Sequence, residues 1–143
     1  MRSVQTAAKY LSLANLLVGI AGFFAPVVTG NSDRIINIHP GRLFGIFAVN
    51  WPHALLHVVL GLVGLPAQRA ASSSATYLRL TAALFGALSL MGVFKVRARS
   101  GIYFMMGMAI NRADNVLHGI WAGTAALFTM SPRRVKALRW LTS

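Results

Sequence analysis

The side chains of this chain that could do chemistry are few, and they occur in a phrase written twice. Asn50-x-x-His53-x-x-x-His57 returns 61 residues later as Asn111-x-x-Asp114-x-x-x-His118, with Ala48-Val49 and Ala109-Ile110 as matching flanks. Residues spaced i, i+3 and i+7 share one face of a helix, so each copy is a polar stripe. Such a set supports three kinds of chemistry. First, it can close on itself as a hydrogen-bonded knot. Asn50 and Asn111 would cap their helices, and Asp114 would take His53, His57, His118 or Arg112 as partner. Second, His57 and His118 can be axial ligands of a tetrapyrrole, haem or chlorophyll. Third, His53 and His57 can hold a divalent metal with Asp114 and His118 completing four ligands, or the set can relay protons. The knot is the preferred reading, because polar groups inside a membrane pair with one another. On it, no bound cofactor and no metal is expected.

The elements that position these stripes are apolar. The chain has 143 residues, 56% of them hydrophobic, and its mean hydropathy is +0.62. Charged residues make up 11%, against about 25% in a soluble domain. The apolar residues come in long blocks, as in integral membrane proteins. Cysteine is absent, which excludes disulfides, thiolate metal sites and thiol catalysis. Asp33 and Asp114 are the two acids, too few for general acid–base chemistry, so a non-enzymatic protein is expected. The net charge of +12 does not indicate nucleic acid, because the cations cluster at helix ends and tails. Basic flanks on apolar spans attract anionic lipid headgroups or an acidic partner subunit.

Four spans stand out, near Ala8–Val28, Trp51–Leu65, Tyr77–Phe94 and Ala113–Met130, each 15–21 residues long. About 20 residues cross the hydrocarbon core. Tyr10-Leu11-x-Leu13 and Gly19 align with Tyr77-Leu78-x-Leu80 and Gly86, so spans one and three correspond, as do two and four. The expectation is an all-α bundle of four transmembrane helices, a single domain over 1–143. It is built from tandem helical hairpins at about 8–66 and 75–130, related by a pseudo-two-fold axis along the membrane normal. The stripes continue through Gly61 and Gly64 and through Ala122 and Ala125, which predicts a close seam between helices two and four.

Arg2, Lys9, Arg69, Arg79, Arg133, Arg134, Lys136 and Arg139 fall on one side of the spans, and Arg34, Arg42, Lys95, Arg97, Arg99 and Arg112 on the other. The bias places both termini in the cytoplasm. In the connection from 29 to 50, Asn31-Ser32-Asp33 reads as a turn, and Leu43–Phe47 is apolar enough to lie in the interface or fold over the bundle. Its counterpart is Phe104–Met108. His39 reads as a surface residue, Met105, Met106 and Met108 as adaptable apolar packing, and Asn15 as a bond across a helix seam. The tail 131–143 reads as an amphipathic helix that sets Arg133, Arg134, Lys136 and Arg139 against lipid or a partner.

Gly45-Ile46-Phe47-x-Val49-Asn50-x-x-His53-x-x-x-His57-x-x-x-Gly61 and Asn111-x-Ala113-Asp114-Asn115-x-Leu117-His118 resemble the two signature stretches of a bacterial family of four-helix integral membrane proteins, the "domain of unknown function" 4383 family. The resemblance spans nearly the whole chain. It implies a four-span membrane protein with Asn50, His53, His57, Asn111, Asp114 and His118 as signature positions, and it implies no activity. Pro52 inside the first motif and the basic tails depart from the pattern. The expected role is an accessory or scaffold subunit of a larger membrane complex, photosynthetic or respiratory, in a bacterial inner membrane or a thylakoid. A haem- or chlorophyll-binding protein and an ion or proton transporter are the alternatives.

Overall fold

The computed structural model describes residues 2–95 and 101–130. Arg97, Arg99 and the tail cations Arg133, Arg134, Lys136 and Arg139 lie outside the described residues. Four helices make up most of the described chain: α1 (Arg2–Phe23), α2 (Trp51–Ala67), α3 (Ala71–Lys95) and α4 (Arg112–Thr129). α1 and α3 are each long and apolar enough to cross a membrane. α2 has 17 residues, a length of about 26 Å.

α1 stops short of the expected end at Val28. Pro26 lacks an N–H and clashes with the carbonyl four residues back, so the apolar run continues as a 3-10 turn (Ala25–Val27). Beyond it, Asn37 ties the connection back to α1: its Nδ2 donates to Gly22 O at 2.9 Å and its N–H to Phe23 O at 2.8 Å. The expected turn is present, with Asp33 N–H donating to Asn31 Oδ1 at 3.1 Å. His39 is exposed as expected, and its Nδ1 meets Asp33 Oδ1 at 2.8 Å.

The all-α expectation needs correction, because both apolar connections are β-hairpins. β1 (Val28–Thr29), β2 (Gly41–Leu43) and β3 (Phe47–Val49) form an antiparallel sheet in that order, with Leu43 opposite Phe47. β4 (Tyr103–Met105) and β5 (Met108–Ile110) form a second, with Met105 opposite Met108. Both tips need a left-handed backbone. Phe44 (φ 52°) precedes Gly45 (φ 74°), and Met106 (φ 53°) precedes Gly107 (φ 81°). Asn-Gly and Asp-Gly are the usual solutions for such turns. Here bulky apolar residues take the strained position, and both point outward.

The closest helix contacts are α1 with α2 and α3 with α4. A Cβ on Gly61 would lie 2.6 Å from Leu16 Cβ, so this glycine lets α2 press on the α1 backbone. That relocates a predicted seam. Gly61 and Gly64 face Leu16, Ser12 and Tyr77 of α1 and α3, not α4. Ala125 packs in a cluster with Ala8, Leu11, Tyr77 and Leu78. α2 and α4 meet instead through long polar side chains near their N-termini. Met105 and Met108 pack with Phe85, Leu88, Tyr103 and Ile110, the apolar role expected of them, whereas Met106 is exposed.

Candidate functional site

The site is built where the two hairpins back onto each other and feed into α2 and α4. β3 lies against β5. Ala48 and Ala109 are fully buried on these strands, and each turns its free N–H and C=O away from its own hairpin partner. Alternate residues of an antiparallel strand do this, and the small side chains let the two strands come close. Four backbone groups therefore point into the seam and need partners.

The repeated stripes supply them. Asn50 Nδ2 donates to Gly107 O at 2.8 Å, and Asn50 Oδ1 accepts from Ala109 N–H at 2.9 Å. In the other direction, Asn111 Nδ2 donates to Ile46 O at 2.7 Å. Each carboxamide thus holds the opposite hairpin. Only Asn111 also caps: its Oδ1 accepts from Asp114 N–H at 3.1 Å, and Asp114 Oδ2 accepts from Asn111 N–H at 2.8 Å, a reciprocal capping box. Asn50 occupies the N-cap position of α2 but makes no side-chain cap, because both ends of its amide are used across the seam.

Asp114 is buried, yet the expected partners among the histidines and Arg112 are not the ones it takes. Its Oδ2 accepts from Ala48 N–H at 3.0 Å and from Asn111 N–H. Two amides and the positive end of α4 stand in for a cation. His53, at the equivalent position of the first stripe, does the converse. Its Nδ1 lies 3.0 Å from Ala48 O and 2.9 Å from Ala109 O, so it donates to both halves.

His57 and His118 complete a cluster with His53. Ring centroids are 5.0 Å apart for His53–His57, 5.6 Å for His53–His118 and 5.8 Å for His57–His118. One nitrogen from each ring lies within 4.8 Å of the others. Asn15 bonds across a seam as expected, its Oδ1 accepting from His57 Nδ1 at 2.9 Å. Phe85 stacks on His118 at 4.8 Å and on His57 at 5.5 Å, and Trp121 closes the edge. A cavity of about 70 Å³ adjoins the cluster, lined in part by Phe47, His53, His57, Asp114 and His118. The structure therefore brings together all six residues singled out in the sequence, but Asp114 acts on backbone and is not part of the imidazole cluster.

Beyond Asn15, Phe85 and Trp121, three more contributors, Ser89, Tyr103 and Asn115, carry no mark in the repeated phrase. Asn115 is buried, with its Oδ1 accepting from Tyr103 O–H at 2.7 Å and its carbonyl from Ser89 O–H at 2.8 Å. These bonds join α3, β4 and α4. Burial raises the Tyr103 hydroxyl above its ordinary value. Outside the site, the His39 hydrogen bond holds the Asp33 carboxyl below the usual carboxylate range.

No curated protein and no solved structure matches this chain. The family model described as "Domain of unknown function (DUF4383)" matches residues 5–131, which include both stripes, both hairpins and all four helices but the first residues of α1. The chain belongs to the DUF4383 family.

Proposed function

We propose that this chain is an integral membrane protein that crosses the bilayer four times as a duplicated helical hairpin, and that its role is structural. It acts as a non-enzymatic scaffold or accessory subunit of a larger membrane assembly. The observation that carries this reading is the burial of polar side chains while large apolar ones are exposed on every helix. The buried set includes Ser12, Asn15, His53, His57, Thr81, Asp114, Asn115 and His118, whereas Leu17, Leu62, Leu80, Leu90, Val93, Phe94, Val116 and Leu127 are each at least 55% exposed. A soluble monomer does not present apolar side chains along every helix. Lipid removes the penalty for exposing them and drives polar groups inward to pair.

The scaffold role follows from how the polar groups are used. The Asn50, Asn111 and Asp114 side chains each bond backbone groups of the opposite hairpin, so they fix the geometry of the seam. Axial ligation by His57 and His118 is less well supported. Phe85 covers both rings, and the adjoining cavity of about 70 Å³ is far below the roughly 300–1,000 Å³ of a site for an organic ligand. The basic loops would meet anionic headgroups or an acidic subunit. A tagged chain in native membranes tests the reading. It should resist an alkaline wash and, after mild solubilisation, migrate with a larger partner in fixed ratio. Release by the wash would refute the membrane assignment, and migration alone would refute the subunit role.

A further inference from the structure

The hydrogen bonds around the histidine cluster decide where its protons sit. A carbonyl oxygen only accepts, so His53 Nδ1, between Ala48 O and Ala109 O, carries the hydrogen. In the neutral ring, His53 Nε2 then presents a lone pair. His57 is fixed in the same way. Asn15 Nδ2 donates to Leu11 O at 2.8 Å, which turns Asn15 Oδ1 toward His57 and makes His57 Nδ1 the donor. His57 Nε2 presents a lone pair as well. These two Nε2 atoms face each other at 3.2 Å in a buried site. Lone pairs so close repel unless a cation lies beside them.

The third ring adds to the demand. His118 is 1% exposed, and its Nδ1 is buried with no hydrogen-bond partner among the described residues. An orphaned buried acceptor or donor calls for an explanation. The distances suggest one. Tetrahedral coordination with metal–nitrogen bonds of about 2.0–2.1 Å places ligand nitrogens about 3.3 Å apart. His53 and His57 already stand at 3.2 Å, and the ligand nitrogens of all three rings lie within 4.8 Å of one another, so a modest turn of one ring closes the set. The outer contacts match too. Metal-bound imidazoles hand their second N–H to a carbonyl or carboxylate, as His53 does to Ala48 and Ala109 and His57 to Asn15.

We propose that His53, His57 and His118 form a buried three-imidazole site for a divalent first-row transition-metal ion of the Zn²⁺ type, with one coordination position open to the adjoining cavity. Imidazole suits zinc, copper, iron and nickel ions, and no thiolate is present to favour a softer metal. The cavity of about 70 Å³ holds one or two waters at about 30 Å³ each, enough for a fourth ligand. Asp114 lines the same cavity, while its Oδ2 accepts from the Ala48 and Asn111 amides. This differs from the four-ligand arrangement expected from spacing, which included the carboxylate. It does not depend on the scaffold reading, because a structural or an active metal would use the same three ligands.

The test uses the full chain in detergent, stripped with a chelator and titrated with Zn²⁺ by calorimetry and with Co²⁺ by visible absorption. One ion per chain and a tetrahedral cobalt spectrum are expected. His118→Phe keeps the ring volume and the stack on Phe85 and should abolish both signals. Asn15→Leu leaves all three ligands in place and should weaken binding about 10–100-fold, which keeps the proposal testable if His118→Phe misfolds. His39→Ala removes the exposed imidazole and should change neither. A folded, stripped wild type that takes up no stoichiometric ion would overturn the proposal. So would cobalt binding unchanged in His118→Phe, or nitrogen NMR of labelled histidines showing a proton on the Nε2 of His53 or His57 at neutral pH.

Discussion

Replacing Asn50 by serine separates two roles that one residue could play. Serine is among the best N-cap residues, and loss of a good cap costs about 1 kcal/mol. If Asn50 served α2 as a cap, Asn50→Ala would destabilise by that amount and Asn50→Ser would restore the loss. The structure assigns it another task. Asn50 Oδ1 accepts from Ala109 N–H and its Nδ2 donates to Gly107 O, both on the opposite hairpin. Ala109 is fully buried, so its amide becomes an orphan donor, at about 1–3 kcal/mol. Gly107 is exposed and its carbonyl can be rehydrated, so that bond contributes about 0.5–1.5 kcal/mol. The sum is about 2–4 kcal/mol, and serine is too short to reach either group. Chains near this size lose about 2–4 °C of melting temperature per kcal/mol. Both variants should therefore melt roughly 5–15 °C below wild type in the same detergent. An Asn50→Ser protein melting within about 2 °C of wild type, beside a destabilised Asn50→Ala, would refute the cross-hairpin role.

Asp114→Asn keeps one acceptor oxygen for the Ala48 and Asn111 amides and should cost about 1 kcal/mol, whereas Asp114→Ala orphans the buried Ala48 amide and should cost about 3 kcal/mol or more; equal losses in a thermal melt would show that the charge, not the hydrogen bonding, matters. Gly61→Ala places a methyl 2.6 Å from Leu16 Cβ and should cost about 1–3 kcal/mol, while Gly86→Ala meets its nearest neighbour, Ala122 Cβ, at 3.8 Å and should be near neutral in the same melt. The connection before β2 should loosen in acid. The folded Asp33 carboxyl titrates below its ordinary 3.8, so its contribution is complete above that pH and is lost as pH falls through the folded value. Amide NMR shifts of Ile38 and His39, whose N–H groups donate to Asp33 Oδ2, should therefore titrate together below 3.8 and lose that dependence in Asp33→Asn.

What the sequence made legible was what long-range periodicity encodes. The four helices, and the convergence of Asn50, His53, His57, Asn111, Asp114 and His118, follow from repeated spacing on apolar spans. What it hid was carried by the backbone. The hairpins escaped notice because strands are recognised by alternation of polar and apolar residues. Phe104, the exposed residue of β4, is apolar, and β5 is buried throughout, so burial there has no counterpart in residue type. The partners of Asp114 were misassigned for a related reason: side-chain identities advertise His and Arg as partners, whereas the groups that bind it are the N–H of Ala48 and Asn111. The repeated flanks Ala48 and Ala109 are visible as part of the phrase, but a residue that works through its main chain leaves only its small size as a clue. Asn115 had a usable signal that spacing alone did not rank: it stands where the first copy has Ala54, and a polar residue gained in one copy marks a bond the other lacks.

The one substitution within the stripe itself, His53 in one copy against Asp114 in the other, follows from how two similar faces must meet. Two faces of like sequence that meet confront each group with its own kind, so donors tend to face donors. A carboxamide escapes the problem because it carries both a donor and an acceptor. Asn50 and Asn111 can therefore be the same residue and still each grip the opposite hairpin. A group that only donates, or only accepts, cannot be repeated in this way. Ala48 offers the seam both an N–H and a C=O, and one side chain must take each. Asp114 takes the N–H, and His53 gives its Nδ1 hydrogen to the C=O and to that of Ala109. A carboxylate at 53 would face the two carbonyls His53 now serves. The departure from symmetry at this pair is thus what lets the rest of the phrase be repeated, and it commits His53 to the tautomer that turns its Nε2 lone pair toward His57.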